Sequence, residues 1–93
     1  MELPTYAFIC DMGDKFPDLS QQRVIVDIFM KSTGDRYIVK NLEDECPETI
    51  LETIPNGRTV LIPFIEIVDH EQETVDEFYR LAALRNITIK IIS

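Results

Sequence analysis

The sequence predicts an α+β fold with two layers, a mixed sheet of four or five strands and two helices packed on one of its faces. Five short apolar segments have the length and composition of strands, and two further segments have helical periodicity. The predicted order of elements is β-β-β-α-β-α-β. A chain of 93 residues is long enough for one domain, so we expect a single domain over residues 1–93.

The first half of the chain predicts three strands. Residues 6–10 form an apolar run that ends at a loop-forming Asp-Met-Gly-Asp sequence. Residues 23–31 alternate so that one face is entirely apolar and the other is mixed, which indicates a strand covered on one side. The turn-forming residues 32–35 and the apolar residues 36–41 then predict a β-hairpin.

The middle of the chain predicts a short helix followed by a strand. Pro47 suits the first turn of a helix within residues 42–54, because the N–H that proline lacks is not needed there. The apolar run at residues 58–68 predicts a central strand that is covered on both faces. Because proline cannot donate to a sheet, Pro63 requires a bulge or an unpaired position in that strand.

The end of the chain predicts the longest helix and a last strand. Residues 69–85 carry an apolar stripe at positions i, i+3, i+4 and i+7, and Asn86 can end the helix in the left-handed conformation. Residues 87–92 predict the strand that follows. We expect this strand–helix–strand unit to be parallel with a right-handed crossover, as such units in one sheet are.

The composition is acidic, with 17 Asp and Glu residues, 9 Lys and Arg residues and a formal net charge of −8. This excess argues against direct binding to nucleic acid and against attachment to anionic membranes. No apolar run approaches the roughly 20 residues that span a bilayer. The first residues lack a secretion signal and the two cysteines are isolated, so we expect a cytoplasmic protein. Its glycines stand singly and form no phosphate-binding loop, and we expect no cofactor.

The acidic residues are concentrated in two stretches that contain no Lys or Arg. Residues 43–52 and 66–77 hold 11 of the 17 acidic residues, and each stretch includes the start of a predicted helix. The helix dipole stabilises carboxylates at such positions, which is the simplest explanation. The function we predict is a small non-catalytic protein-binding module that acts as an inhibitor, an adaptor or a mimic of nucleic acid. Its basic protein partner is expected to contact Glu43, Asp44, Glu45, Glu48, Glu73, Asp76 and Glu77.

A metal-dependent hydrolase or nuclease is an alternative. Ligand sites gather where parallel strands end, and acidic residues follow both the first predicted strand and the central one. If those strands are neighbours, four carboxylates converge on a divalent cation such as Mg²⁺, with His70 nearby as a base. The four are Asp11, Asp14, Asp69 and Glu71. Acidic residues that only end strands or cap helices are commoner, however, so we expect no enzyme.

A structural subunit that forms homo-oligomers is the other alternative. Ile25, Phe29 and Tyr37 lie on the face of the predicted hairpin that points away from the helices. An uncovered apolar face of this kind often marks a protein interface, so these residues predict a homodimer. The rival interpretation is a second small core, in which the N-terminal segments cover the same face.

Overall fold

The computed structural model describes residues 4–34, 36–42, 45–68 and 72–92, and for residues 72–74 it describes the backbone. The elements in chain order are β1 Thr5–Ile9, α1 Leu19–Thr33, β2 Tyr37–Asn41, α2 Pro47–Leu51, β3 Thr59–Ile62, a 3-10 helix Ile65–Ile67, α3 Gln72–Leu84 and β4 Thr88–Ile91. In the described part of the chain, the strands form one parallel sheet in the order β2-β1-β3-β4. The predicted class of helices packed on one sheet is confirmed, whereas the mixed sheet and the predicted order of elements are wrong.

The layers of the molecule follow from the alternation of side chains along the strands. Phe8 and Val60 pack with α2 and α3 in the larger core, where the rings of Phe8 and Phe78 meet edge to face at 6.3 Å. Ala7 and Leu61 are the chain neighbours of Phe8 and Val60, and they pack against α1 in a smaller core. The helices α2 and α3 therefore share one face, as predicted. Because α1 covers the opposite face, the molecule has three layers and the predicted two are wrong.

The predicted hairpin is wrong, because the segment predicted as its first strand belongs to the helix α1. A capping box starts this helix. The Asp18 carboxylate accepts a hydrogen bond from the Gln21 backbone N–H at 2.8 Å, and the Gln21 side chain accepts one from the Asp18 N–H at 3.2 Å. Gly34 ends the helix in the left-handed conformation, with φ of 73°. Both ends of this segment therefore carry capping residues that are typical of a helix and not of a strand.

Apolar side chains on two sides of α1 produced the alternation that resembled a strand. Gln22, Val26 and Met30 are buried against the sheet at helical spacing, while Val24 and Ile28 are exposed. With a helix between them, β1 and β2 are joined by a crossover, which explains why they pair in parallel.

The second half of the chain is closer to the prediction. The strand predicted over residues 58–68 is too long, because β3 ends directly before Pro63, which cannot donate to a sheet, and Ile65–Ile67 form the 3-10 helix. β3 and β4 are parallel neighbours joined through α3, as predicted, and Asn86 has the expected left-handed conformation with φ of 56°. None of the helices in the described ranges is long and apolar enough to cross a membrane.

Candidate functional site

The parallel topology gathers the loops that follow β1, β2 and β3 at one edge of the sheet. We call this the carboxyl edge, and it comprises residues 10–18, 45–46 and 63–68 together with the first turns of α2 and α3. After β1 the chain moves to β2 on one side, and it later returns to β3 on the other side. The pair β1 and β3 is thus the switch point of the sheet, where open α/β folds place their ligands.

Gln22 on α1 fixes the loop that leaves β1. Its side chain is fully buried, and its Oε1 accepts a hydrogen bond from the Cys10 N–H at 2.9 Å. Its Nε2 donates to the carbonyl of Cys10 at 2.7 Å and to that of Pro17 at 2.9 Å. One side chain thus satisfies three backbone groups, and it holds both ends of the loop against α1.

An aromatic pair fills the crevice at the switch point. Phe16 comes from the loop after β1 and Phe64 from the segment after β3, and their rings stack at 5.4 Å with an interplanar angle of 9°. Met12 and Ile65 are partly buried beside them and pack on the larger core. Because apolar side chains occupy the crevice, the polar chemistry of this edge lies on its outer rim.

Carboxylates dominate that rim. Lys15 is the one basic residue in the described loops of the carboxyl edge. Asp18 is exposed, although its carboxylate is engaged as the cap of α1. The other exposed acidic side chains of the edge and of the first two turns of α3 are Asp11, Asp14, Glu45, Glu66, Asp76 and Glu77.

The structure places part of the predicted acidic surface. Glu45 is exposed directly before α2 and Glu48 is half-buried in its first turn, while Asp76 is exposed on α3. α2 and α3 contact each other, so these acidic residues belong to one layer of the molecule. Glu43, Asp44 and the side chain of Glu73 lie outside the description.

Among the predicted partner-binding residues whose side chains are described, Glu77 has a cationic neighbour. Arg80 Nε donates a hydrogen bond to Glu77 Oε2 at 2.9 Å, and the two side chains also form an ion pair. This hydrogen bond from Arg80 holds the pKa of Glu77 below its usual range. Since Arg80 neutralises part of its charge, we expect Glu77 to contribute less to the surface potential than Glu45 or Asp76.

The opposite edge of the sheet is basic. Lys31 lies in the last turn of α1, where it forms an ion pair with Asp27 at 3.5 Å. Arg36 precedes β2, Arg58 precedes β3 and Arg85 follows α3. The guanidinium of Arg85 donates to the carbonyl of Leu51, the last residue of α2, and to that of Ile54, three residues further along the chain. We call this the amino edge. In the described part of the protein, acidic residues therefore predominate at the carboxyl edge and basic residues at the amino edge, although Lys15 lies at the first and Glu52 at the second.

The predicted metal site is only partly within the described residues. β1 and β3 are parallel neighbours, as that hypothesis required. Asp11 is exposed, and its Oδ1 accepts a hydrogen bond from the Gly13 N–H at 3.1 Å, which holds the carboxylate in a local turn. Asp69, Glu71 and His70 lie outside the description. Over the residues that the structure covers, no group of three or more His, Cys, Asp or Glu side chains is arranged to hold a metal ion.

The three residues of the predicted oligomer interface do not share the face of a hairpin, because this hairpin does not form. Ile25 and Phe29 are half-buried on α1, whereas Tyr37 lies on β2, where its hydroxyl donates to Asp27 Oδ1 at 3.1 Å. Burial raises the pKa of Tyr37, and the hydrogen bond to the Asp27 carboxylate raises it further. The three residues are divided between two elements because the segment that carries the first two is a helix.

Comparison with protein-family models, with curated proteins and with solved structures finds no match to this chain.

Proposed function

We propose that the protein is a non-catalytic binding module, and that its carboxyl edge recognises a basic surface on another protein. One observation carries this proposal. The parallel strand order brings acidic residues from three separate connections to the same edge, while the basic residues Arg36, Arg58 and Arg85 lie at the opposite edge. An inhibitor, an adaptor and a mimic of a nucleic acid all need a concentrated negative potential of this kind.

Distance keeps the two edges electrostatically separate. A strand of four or five residues spans about 15 Å. The Debye length at physiological salt is about 8 Å, so the cations of the amino edge are largely screened from the carboxyl edge. A partner that approaches the carboxyl edge therefore meets a local negative potential. Such a potential accelerates encounter with a Lys-rich or Arg-rich surface and selects against acidic partners.

The helix dipole offers a local reason for the same acidic residues. A carboxylate near a helix N-terminus stabilises the helix by about 0.3–1 kcal/mol. If this is the only role of Glu48, reversing the charge of its side chain lowers the stability of the protein and leaves binding to a partner unchanged. Stability and binding must therefore be measured on the same variants.

The proposal is tested with two variants of equal net charge. In the edge variant, Glu45→Lys and Glu48→Lys raise the net charge by four. In the matched control, four exposed neutral residues of the amino edge are replaced by Lys, which raises the net charge by the same amount. These substitutions are Ser32→Lys, Ala83→Lys, Leu84→Lys and Thr88→Lys. The probe is a synthetic peptide of about 12 residues, rich in Lys and Arg, titrated by calorimetry at low and at physiological salt.

We expect the edge variant to bind this peptide about tenfold or more weakly than the wild-type protein. The control should keep its affinity within about threefold, because its added charges lie beyond a Debye length from the edge. An equal loss in both variants would show that only net charge matters, and it would contradict the proposal. Binding by the edge variant at wild-type affinity would contradict it as well.

A further inference from the structure

The helix α1 leaves part of its face of the sheet uncovered. The hydroxyl of Tyr37 on β2 donates to Asp27 at 3.1 Å, so one flank of α1 lies against β2. β4 lies at the other border of the sheet, where Lys90 is in register with Leu61 and is exposed. Because Leu61 packs against α1, Lys90 lies on the same face. A gap therefore remains between the other flank of α1 and the strands β3 and β4.

A pocket of about 140 Å³ occupies this gap at the amino edge. Its lining combines apolar residues, from α1 and β3, with polar residues from β1, α1, β3 and β4. The apolar residues are Phe29, Met30 and Leu61, and the polar ones are Thr5, Thr33, Thr59 and Lys90. Since a water molecule occupies about 30 Å³ of liquid, the pocket has room for a ligand of about five heavy atoms. We call it the amino-edge pocket.

The register of the sheet brings unpaired donors together in this pocket. By the register of β1 and β3, Thr5 lies opposite Thr59, about 5 Å away. Within the described part of the chain, the side chains of Thr5, Thr59 and Lys90 form no hydrogen bond or ion pair. The hydroxyl of Thr33 is engaged, because it donates to the carbonyl of Met30 at 2.9 Å. Two hydroxyl groups and one ammonium group are thus available to a ligand.

We propose that the amino-edge pocket binds a small oxyanion of the phosphate type. The ammonium group of Lys90 supplies a full positive charge, and the hydroxyls of Thr5 and Thr59 donate to separate oxygen atoms. A tetrahedral oxyanion presents oxygens in several directions, which suits donors that come from three different strands. The pocket lies at the amino edge, so this binding is independent of the protein partner proposed for the carboxyl edge.

The end of α1 opposes an anion at this place, but less strongly than Lys90 attracts one. The C-terminal end of a helix carries about half a negative charge, against the full charge of an ammonium group. The carbonyl of Met30 also accepts hydrogen bonds from the Gly34 N–H at 3.0 Å and from the Thr33 hydroxyl at 2.9 Å. This carbonyl is therefore satisfied within the protein.

The other charged side chains of the neighbouring elements do not line the pocket. Asp27 forms an ion pair with Lys31 at 3.5 Å, and it interacts with Tyr37, as Arg23 does, on the flank of α1 that faces β2. Three further charged residues of the amino edge belong to the other face of the sheet, namely Arg36, Glu52 and Arg58. Glu2 and Asp35 lie outside the described residues. The carboxyl edge is about 15 Å away, which exceeds the Debye length.

Titration with inorganic phosphate, followed by the amide signals in NMR spectra, tests the site. Chloride keeps the ionic strength constant. The wild-type signals of residues 5, 59 and 90 should shift and saturate with a dissociation constant of about 1 mM. Thr59→Val and Lys90→Gln, made separately, should each bind phosphate about tenfold or more weakly, because each removes a donor to a charged ligand. Valine has the shape of threonine and favours strands, so Thr59→Val should fold.

Thr88→Val and Lys40→Gln are the matched controls. Thr88 is in register with Thr59 but does not line the pocket, and Lys40 is in register with Phe8 of the larger core, on the other face of the sheet. Both controls should keep the phosphate affinity within about twofold. Wild-type shifts that do not saturate up to about 30 mM phosphate would show a pocket that holds only water, and they would overturn the proposal. An equal loss in site variants and controls would overturn it as well.

A parallel titration with glycerol phosphate distinguishes the two sources of such an anion. The pocket is open to solvent beside the exposed Lys90, so the phosphate group of a larger molecule can enter it. Tighter binding of the ester would indicate a phosphorylated metabolite, and tighter binding of inorganic phosphate would indicate the free ion. Both results support the site, whereas the failure of both ligands to saturate it would overturn the proposal.

Discussion

Gln22 is the single residue that does most to shape the carboxyl edge. It is the fully buried polar side chain among the described residues, and it joins the end of β1 to the residue before the cap of α1. The loop between them presents Asp11 and Asp14. The position of these carboxylates thus depends on hydrogen bonds made beneath them.

Gln22→Leu should lower the free energy of unfolding by about 2–4 kcal/mol, because it removes three hydrogen bonds to backbone groups of Cys10 and Pro17. Gln21→Ala is the control. It removes one hydrogen bond of the exposed capping box and should cost about 1 kcal/mol or less. Urea denaturation of both variants gives the comparison. A loss for Gln22→Leu that is no larger than the loss for Gln21→Ala would contradict this role.

The sequence indicates where α1 begins, but it does not indicate that Gln22 is buried. Asp18 and Gln21 have the spacing of a capping box, which indicates the start of a helix. The burial of Gln22 was not predictable, because its partners are backbone groups of a loop distant in sequence. A glutamine between charged and polar neighbours has no feature that distinguishes it from a surface residue.

At the scale of elements, α2 depends on its neighbours. It has five residues, which is too few for a helix to be stable by its own hydrogen bonds. Ile50 and Leu51 bury one side of it in the larger core. Arg85 Nε also donates to Asn56 Oδ1 at 2.9 Å, and the same guanidinium donates to the carbonyls of Leu51 at the end of the helix and of Ile54 after it. The chain after α3 therefore holds α2 in place.

Arg85→Gln should loosen α2 more than it destabilises the whole protein. Loss of the charged donors costs about 1.5–3 kcal/mol at the capped carbonyls. We expect amide hydrogen exchange to accelerate most in residues 50–54, as measured by mass spectrometry. Arg80→Gln is the control, since its ion pair with Glu77 is exposed and contributes about 1 kcal/mol or less. Equal exchange in residues 50–54 of both variants would contradict the capping role.

One wrong element accounts for the predicted hairpin and for the predicted mixed sheet. Residues 23–31 have apolar side chains at alternate positions, which fits a strand as well as a helix that is apolar on two sides. With a helix there, strands and helices alternate along the chain, and that pattern indicates a parallel sheet. The unit from β3 to β4 was predictable, because its helix carries a single apolar stripe and its strands are rich in Ile and Val.

At the scale of the whole molecule, topology determines how the excess negative charge is displayed. The sequence shows two acidic stretches but not whether they meet. In a parallel sheet every helix between strands starts at the carboxyl edge, so acidic residues favoured by each helix start are brought together. The concentration of acidic residues at the carboxyl edge thus follows from the preference of each helix start for carboxylates.

The most direct test of the acidic recognition surface is affinity capture from a cell lysate with three immobilised proteins. These are the wild type, the edge variant with Glu45→Lys and Glu48→Lys, and the amino-edge control of equal net charge. The captured proteins are identified by mass spectrometry at low and at high salt. We predict a salt-sensitive basic partner on the wild type and on the control, and its loss from the edge variant. Capture of the same partner by the edge variant would contradict the account.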